Sequence, residues 1–231
     1  WRKYSRLRGV IYRKMRILTM IDTTKNIYEE LFVRYPALKL CKNDIFGAFE
    51  ILFDAYKNGK KLLVCGNGGS AADSEHIVGE LLKRFKKPRK INPEIYEKLG
   101  AFGEDGAKLQ ATLEGSLRAI SLTSHIAFST AFANDREPQV AFAQQLYGLA
   151  DEDDVALMIS TSGNSMNCVY CAEIAKAMGL KTISFTGKNE SKLSALCDAN
   201  VRVPETETFK IQEMHLPVYH CLCAMLEEEF F

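Results

Sequence analysis

Short, continuously apolar runs alternate along the chain with longer segments in which apolar residues recur every three or four positions. The runs at residues 61–65, 117–122, 155–159, 182–186 and 200–203 predict buried β-strands, and the segments between them have the period of helices. Strands that are apolar throughout and separated by helices are typical of parallel sheets covered on both faces. The pattern therefore predicts an α/β fold, a three-layer α-β-α sandwich around a five-stranded parallel sheet.

The part of the chain before the first strand is predicted to be helical. Residues 24–34 and about 43–58 have the spacing of two helices, and the second carries a wide stripe of aromatic and aliphatic side chains. Such a stripe suits packing in the core, and it also suits burial against a second subunit. We expect one domain over residues 23–231, with these N-terminal helices (23–58) and an insertion at about 89–116 that contains short helical pieces.

Composition and charge exclude several classes of function. The chain has 231 residues, 47% of them hydrophobic, and a formal net charge of +1, so it predicts a globular protein without the overall charge that attracts nucleic acid. No apolar run is long enough to span a bilayer, and we expect neither a membrane nor a nucleic-acid partner. Seven scattered cysteines indicate reduced thiols and a cytoplasmic protein.

A basic N-terminal extension, residues 1–22, precedes the predicted domain. Its arginines and lysines are crowded, as in arms that bind nucleic acid or a membrane surface. Met20 would make a sensible start for the protein, so we favour the interpretation that the residues before it are an upstream extension without such a role.

A glycine-rich turn follows the first predicted strand. Residues 66–70 read Gly-Asn-Gly-Gly-Ser, and Ser70 lies where the N-cap of a helix over about 71–85 is expected. Glycines admit a ligand close to the backbone, and the free N–H groups at a helix start attract anions. The turn also matches the relaxed dinucleotide pattern G-x-G-x-x-A, but the second strand ending in an acidic residue, which that pattern requires, is missing.

A hydroxyl-rich loop follows the third predicted strand. Residues 160–165 read Ser-Thr-Ser-Gly-Asn-Ser, just before a helix. Four hydroxyls together with free helical N–H groups suit a phosphate dianion, whereas a helix cap needs only one of them. Ligands of parallel sheets bind at the carboxyl ends of the strands, so we expect this loop and the glycine-rich turn to lie at the same edge.

Two predicted helices carry candidate metal ligands. His76 and Glu80 are one turn apart, and Gln212 and His220 are just over two turns apart on the last helix. Imidazole, carboxylate and amide groups provide nitrogen and oxygen ligands for zinc or a similar divalent ion. On spacing alone, polar groups that satisfy one another at a helix interface explain these residues at least as well.

Together these motifs resemble the sugar isomerase (SIS) fold, specifically the phosphoheptose isomerase family. The resemblance covers roughly residues 40–231, apart from the insertion. The features that agree in order are residues 65–70, the pair His76 and Glu80, Asn134 with Asp135, residues 159–165, and residues 211–215 followed by His220.

The resemblance implies an enzyme that converts sedoheptulose 7-phosphate to D-glycero-D-manno-heptose 7-phosphate through an enediol, in the synthesis of activated heptose for surface polysaccharides. It implies a homotetramer with shared sites and one zinc ion per subunit, held by His76, Glu80, Gln212 and His220. Glu80 is the expected base and His220 the expected acid. The expected substrate-binding residues are Asn67, Gly68, Gly69, Ser70, Glu80, Asn134, Asp135, Ser160, Thr161, Ser162, Ser165 and Gln212.

Two alternative functions stay open. The DnaA initiator-associating protein has a similar fold and similar motifs but is a replication regulator, and fold does not fix function. We favour the enzyme because the equivalents of Glu80 and His220 are expected to be missing in that regulator. An isomerase of another sugar phosphate is the second alternative, because the insertion, Pro217 inside the last helix, and Phe209 with Lys210 depart from the family pattern.

Overall fold

Five parallel strands form the sheet at the centre of the fold, as the apolar runs predict. The computed structural model describes residues 20–231; residues 1–19 lie outside the described part, so the interpretation of the basic extension stays a prediction. The strands are β1 (Leu62–Gly66), β2 (Ala119–Ser121), β3 (Val155–Ile159), β4 (Lys181–Thr186) and β5 (Ala199–Arg202). Their order in the sheet is β2-β1-β3-β4-β5, and every neighbouring pair is parallel.

Helices cover both faces of this sheet. They are α1 (Asp22–Arg34), α2 (Lys42–Lys57), α3 (Gly69–Leu82), α4 (Pro93–Leu99), α5 (Gly103–Thr112), α6 (Ile126–Asp135), α7 (Ala141–Leu149), α8 (Met166–Ala177), α9 (Lys192–Leu196) and α10 (Thr208–Phe230). Short 3-10 turns occupy Pro36–Cys41, Gly100–Phe102 and Pro138–Val140. No helix described for residues 20–231 is both long and apolar enough to cross a membrane.

Two apolar cores lie on opposite sides of the sheet. Alternate residues of a strand point to opposite faces, and in β1 Leu62 and Val64 join the core with α1, α2, α3 and α10, whereas Leu63 and Cys65 join the core with α7, α8 and α9. The fold is therefore the predicted three-layer sandwich. The insertion contributes little to either core, because Gly106 is its one buried residue within α4 and α5.

The start of α3 differs from the prediction. The N-cap position is Gly68 rather than Ser70, and no side chain caps the helix. Gly68 has a φ of +56°, so the chain turns there and the helix begins two residues earlier than expected. Ser70 is buried in the first turn, where a Cβ on Gly66 would lie 2.8 Å from the Cβ of Ser70. Gly66 is therefore a close-contact position, and the N-cap role expected of Ser70 is wrong; that Ser70 binds the substrate stays a prediction.

The end of α3 also differs from the prediction. The helix ends at Leu82 and not at about Phe85, because the backbone that follows it forms hydrogen bonds with residues distant in sequence and not with the preceding helical turn. Glu227 of α10 accepts a hydrogen bond from the N–H of Phe85 at 2.8 Å, and the Arg89 guanidinium donates to the carbonyl of Leu81 at 2.7 Å. These contacts replace a further helical turn and fix the path into the insertion.

Candidate active site

The glycine-rich turn and the hydroxyl-rich loop lie side by side at the carboxyl edge of the sheet. Gly66 at the end of β1 pairs in register with Ile159 at the end of β3, so the segments that follow them leave adjacent strands at the same level. The strand order also reverses between β1 and β3, and the crevice at such a switch point is where ligands of open α/β sheets bind. The two loops therefore form one candidate site.

Two asparagines join these loops directly. The side-chain amide of Asn67 donates to Asn167 Oδ1 at 2.9 Å, and the amide of Asn167 donates back to Asn67 Oδ1 at 2.7 Å. Asn167 Oδ1 also accepts from the N–H of Cys168 at 3.0 Å. Asn67 was expected at the site from the sequence, but Asn167 was not. The sequence signal of Asn167 is an amide side chain in the first turn of the helix after the hydroxyl-rich loop.

Hydroxyl groups line the second loop as predicted. Ser160 Oγ donates to Ser165 Oγ at 3.1 Å, and Ser162 Oγ accepts from the N–H of Asn164 at 3.2 Å. Ser165 is the N-cap residue of α8, yet its side chain makes no capping hydrogen bond. Ser160 is buried, Thr161 is half-buried and Ser162 is exposed. Together with the N–H groups at the start of α8, these hydroxyls suit a phosphate group.

Gly163 fixes the shape of this loop. It has a φ of +64°, and a Cβ there would lie 2.1 Å from Ser191 Oγ. Ser191 cannot move away freely because its side chain accepts a hydrogen bond from the N–H of Ser194 and caps α9. A glycine is therefore required at this position by both its conformation and its surroundings.

The helices α3 and α10 bring three of the four predicted metal ligands together. His76 Nε2 lies 3.2 Å from Glu80 Oε1, and the rings of His76 and His220 meet edge to face with centroids 5.0 Å apart. Burial lowers the pKa of His220, and the neighbouring His76 lowers it further. Nε2 of His220 is buried without a hydrogen-bond partner. We call His76, Glu80 and His220 the acid–base cluster.

Gln212 lies beside the start of α3, just over two helical turns before His220 on α10. A Cβ on Gly69 would lie 2.6 Å from Gln212 Nε2, so the amide packs against the start of α3. His220 is eight residues further along α10, or about 12 Å along the helix axis. Within residues 20–231, no three His, Cys, Asp or Glu side chains form a ready metal site. That Gln212 binds the same ion as His220 stays a prediction.

The donor atoms of the cluster nevertheless suit a divalent cation in chemical type. Imidazole nitrogen and carboxylate oxygen are ordinary zinc ligands, and the buried Nε2 of His220 lacks the partner that such an atom normally has. Behind His76, Tyr219 places its hydroxyl 3.0 Å from His76 Nδ1, a contact that sequence analysis did not predict. Bound histidines commonly have a second partner of this kind.

Asn134 and Asp135 end α6 and are both exposed. The Asn134 amide donates to Asp135 Oδ1 at 2.9 Å, so the hydrogen bond that the structure gives this pair lies between neighbours. Their contact with a sugar stays a prediction.

The fold and the paired loops define a SIS-domain protein. Two family models, each described as SIS domain, match residues 37–110 and 120–225. A phosphoheptose isomerase from Nitratiruptor is 41% identical over 186 residues, which is 80% of this chain and 86% of that protein. One from Helicobacter hepaticus is 35% identical over 215 residues, covering 91% of this chain and 93% of its own.

A solved phosphoheptose isomerase from Francisella tularensis has the same architecture, with a TM-score of 0.67 at 29% identity, over 91% of this chain and 99% of that chain. The chain belongs to the phosphoheptose isomerase family, a family of isomerases.

Proposed function

We propose that this chain converts sedoheptulose 7-phosphate to D-glycero-D-manno-heptose 7-phosphate, as a step toward activated heptose for surface polysaccharides. The observation that carries the proposal is the combination of a hydroxyl-rich loop at the β1–β3 switch point with an acid–base cluster where α10 packs against α3, the helix that starts at that point. The hydroxyl-rich loop suits a phosphate group, and the acid–base cluster suits proton transfer at a carbonyl.

The substrate is assigned an extended pose along α3. Residues 160–165 would hold the phosphate, and the carbonyl end would lie toward Glu80 and His220. Glu80 follows Ser70 by ten residues, about 15 Å along the helix axis. Helical side chains lean toward the N-terminus, so the Glu80 carboxylate reaches back toward the loop. A long-chain sugar phosphate suits this separation better than a short one.

The chemistry follows from the two side chains. Glu80 takes a proton from C1, the electron pair of that bond forms the C1–C2 double bond, and the C2 carbonyl oxygen gains a proton from His220. The enediol is then converted to the aldose. Glu80 gives its proton to C2, and His220 recovers a proton from the C1 hydroxyl as the C1 carbonyl forms. Burial and the neighbouring His76 lower the pKa of His220 and so favour the neutral imidazole, a form that can donate its N–H to a carbonyl oxygen.

Zinc is part of the proposal, with His76, Glu80, His220 and Gln212 as the residues that would hold it. The support is the pair of facing acceptor-type atoms, His76 Nε2 and Glu80 Oε1, and the unpartnered Nε2 of His220. Side-chain rotation would have to bring Gln212 toward the other three. When bound, a divalent ion supplies polarisation of the carbonyl.

A cytoplasmic homotetramer completes the proposal. The sequence of α6 is mostly apolar, yet none of its residues is buried, and Ile126 is 74% exposed. The start of α6 and a face of α7 also line an apolar groove of about 660 Å³. Surfaces of this kind mark contacts with another chain, and a second copy would cover them. All seven cysteines are free and buried, which suits a reducing compartment.

The test is product formation from sedoheptulose 7-phosphate by the metal-loaded protein, beside a chelated sample. Turnover that disappears on chelation supports both the isomerase and the metal. Turnover that survives chelation keeps the enzyme and removes the metal from the reaction. Binding of the sugar phosphate without turnover in either sample contradicts the proposed reaction and favours a regulatory SIS-domain protein.

A further inference from the structure

A chain of hydrogen bonds lies behind the acid–base cluster. The Tyr219 hydroxyl lies 3.0 Å from His76 Nδ1 and donates to Asp73 Oδ1 at 3.2 Å. Asp73 precedes His76 by three residues, so both side chains lie on the face of α3 that meets α10. Tyr219 itself is only 2% exposed. The hydroxyl is therefore held between two partners away from bulk water.

The direction of these hydrogen bonds follows from the number of protons. A hydroxyl has one proton, and the Asp73 carboxylate can only accept it. Toward His76 the Tyr219 oxygen is therefore the acceptor, so His76 Nδ1 must be the donor. The ring proton of a neutral His76 then lies on Nδ1, and Nε2 presents its lone pair to Glu80 Oε1, 3.2 Å away. Both of these atoms are acceptors, so a cation between them, and not a hydrogen bond, is what this tautomer of His76 suits.

We propose that Tyr219 and Asp73 are positioning residues that hold His76 in its Nδ1–H form and direct Nε2 into the site. The inference deepens the proposed function, because it gives His76 a defined ligand atom for the ion. Metal-binding histidines ordinarily donate their other ring N–H to a carboxylate, a backbone carbonyl or a water, and loss of that partner weakens metal binding. Here the Tyr219 hydroxyl, itself bound to the Asp73 carboxylate, takes that place.

Packing alone does not account for the hydroxyl. The Tyr219 ring meets the rings of His76 and His220 edge on, with centroids 5.5 Å and 4.9 Å away, and a phenylalanine would make the same contacts. Burying a hydroxyl costs free energy unless it is hydrogen-bonded, so a tyrosine is disfavoured here without its two partners. The Tyr219 hydroxyl therefore supplies the two hydrogen bonds, to His76 and to Asp73, that a phenylalanine could not make.

The decisive variant is Tyr219→Phe, which removes one oxygen and keeps the ring. The first readout is the tautomer of His76, measured by solid-state NMR on 15N-histidine-labelled protein in mildly alkaline buffer. The chain has four histidines, and the variant His76→Gln assigns the signal. The second readout is zinc affinity, measured by competition with a chromophoric chelator.

We expect His76 to be Nδ1–H in the wild-type protein and to gain the Nε2–H form in Tyr219→Phe, with zinc affinity reduced about 10- to 100-fold. Asp73→Asn retains an acceptor for the hydroxyl and should give a smaller loss. The matched control is Tyr28→Phe, whose hydroxyl donates to the Lys42 carbonyl at 2.6 Å in another part of the core. It should change neither readout, although it also deletes a buried hydroxyl.

An unchanged tautomer in Tyr219→Phe, or a wild-type His76 protonated on Nε2, would overturn the inference. So would zinc affinities that match the Tyr28→Phe control. A wild-type protein that lacks turnover would contradict the proposed function instead. The tautomer measurement needs neither substrate nor metal, so the two failures can be told apart.

Discussion

Two polar clusters lie between α3 and α10, and they are built in opposite ways. The ion-pair cluster, Arg89 with Glu227, has side chains that are 0% and 2% exposed, and its Nε to Oε1 distance is 2.8 Å. Arg89 also donates to the carbonyls of Glu80 and Leu81, at 2.8 Å and 2.7 Å. Glu227 accepts further hydrogen bonds from three successive backbone N–H groups, those of residues 85–87. Nearly every donor and acceptor there has a partner.

The acid–base cluster has the opposite character. The His76 side chain is 43% exposed, and Nε2 of His220 is buried without a partner. Asp73 Oδ2, behind the cluster, is likewise buried and unpartnered. Unsatisfied buried polar atoms cost stability, so they persist where a ligand or reaction uses them. The two helices are therefore held together at one end by charges whose hydrogen bonds are satisfied, so the other end can carry reactive groups at a cost in stability.

The largest expected effect comes from breaking the ion-pair cluster. Arg89→Met leaves Glu227 charged and buried, and such changes cost about 3–5 kcal/mol of folding free energy. We expect this loss in denaturant unfolding, and a partial recovery in the double variant Arg89→Met with Glu227→Leu. The exposed pair Lys98–Glu94 is the control, since Lys98→Ala should cost less than about 1 kcal/mol. Equal losses at the two pairs would contradict the distinction between the clusters.

A buried histidine outside both clusters gives the next effect. His215 is fully buried on α10, its Nε2 lies 3.3 Å from the Thr186 carbonyl, and burial lowers its pKa from 6.5 to about 4. Because the unfolded chain binds the proton at higher pH, the stability contributed by neutral His215 is present above pH 6.5 and is lost as pH falls toward 4. By about pH 4, this pKa shift corresponds to a loss of about 3 kcal/mol in the free energy of unfolding.

Unfolding free energy measured across this pH range in His215→Gln checks the assignment. The variant should lack that part of the acid-dependent loss, whereas His125→Gln, at an exposed position, should keep it. Identical pH profiles for the wild-type protein and His215→Gln would show that another group causes the loss.

The smallest effect concerns the contact between the two loops. Asn167→Ala removes both hydrogen bonds to Asn67 and leaves the Asn67 amide without its partner. The residue is half-buried, so the expected cost is about 1–2 kcal/mol, which corresponds to roughly a tenfold rise in KM for the sugar phosphate. Asn200→Ala is the control for general loosening, because Asn200 is a half-buried asparagine on β5 that accepts a hydrogen bond from Ser184 Oγ at 2.6 Å, outside the two loops. A change confined to kcat would instead place Asn167 in the chemistry.

The strands could be predicted from the sequence because burial in a parallel sheet leaves a local signal. β3 has the predicted bounds, and the other strands shift by one or two residues at their ends, with β2 the most shortened. The ends of α3 could not be predicted. Its start depends on a positive φ at Gly68, and its end depends on Arg89 and on Glu227, which lies far along the chain.

The residues of the candidate site also fall into those that local sequence geometry predicts and those that long-range packing brings together. His76 and Glu80 could be paired from their spacing, because one helical turn is local geometry. His220 could be paired with Gln212 from their spacing on the last helix, but its meeting with His76 could not be predicted from local geometry, because it depends on the packing of α10 against α3. Tyr219 and Asn167 could not be predicted as site residues, because their partners are distant in sequence. Tyr219 is 143 residues from His76, and Asn167 is 100 residues from Asn67. Pro217 does not end α10, which continues to Phe230.

The decisive measurement for the proposed reaction is turnover of sedoheptulose 7-phosphate by Glu80→Gln, together with the affinity of this variant for the sugar phosphate. We expect kcat to fall about 10²- to 10⁴-fold with affinity retained, because the amide keeps the shape of the side chain but cannot take a proton. Glu173→Gln, at an exposed position on α8, should behave as the wild-type protein. Full turnover by Glu80→Gln would contradict the account.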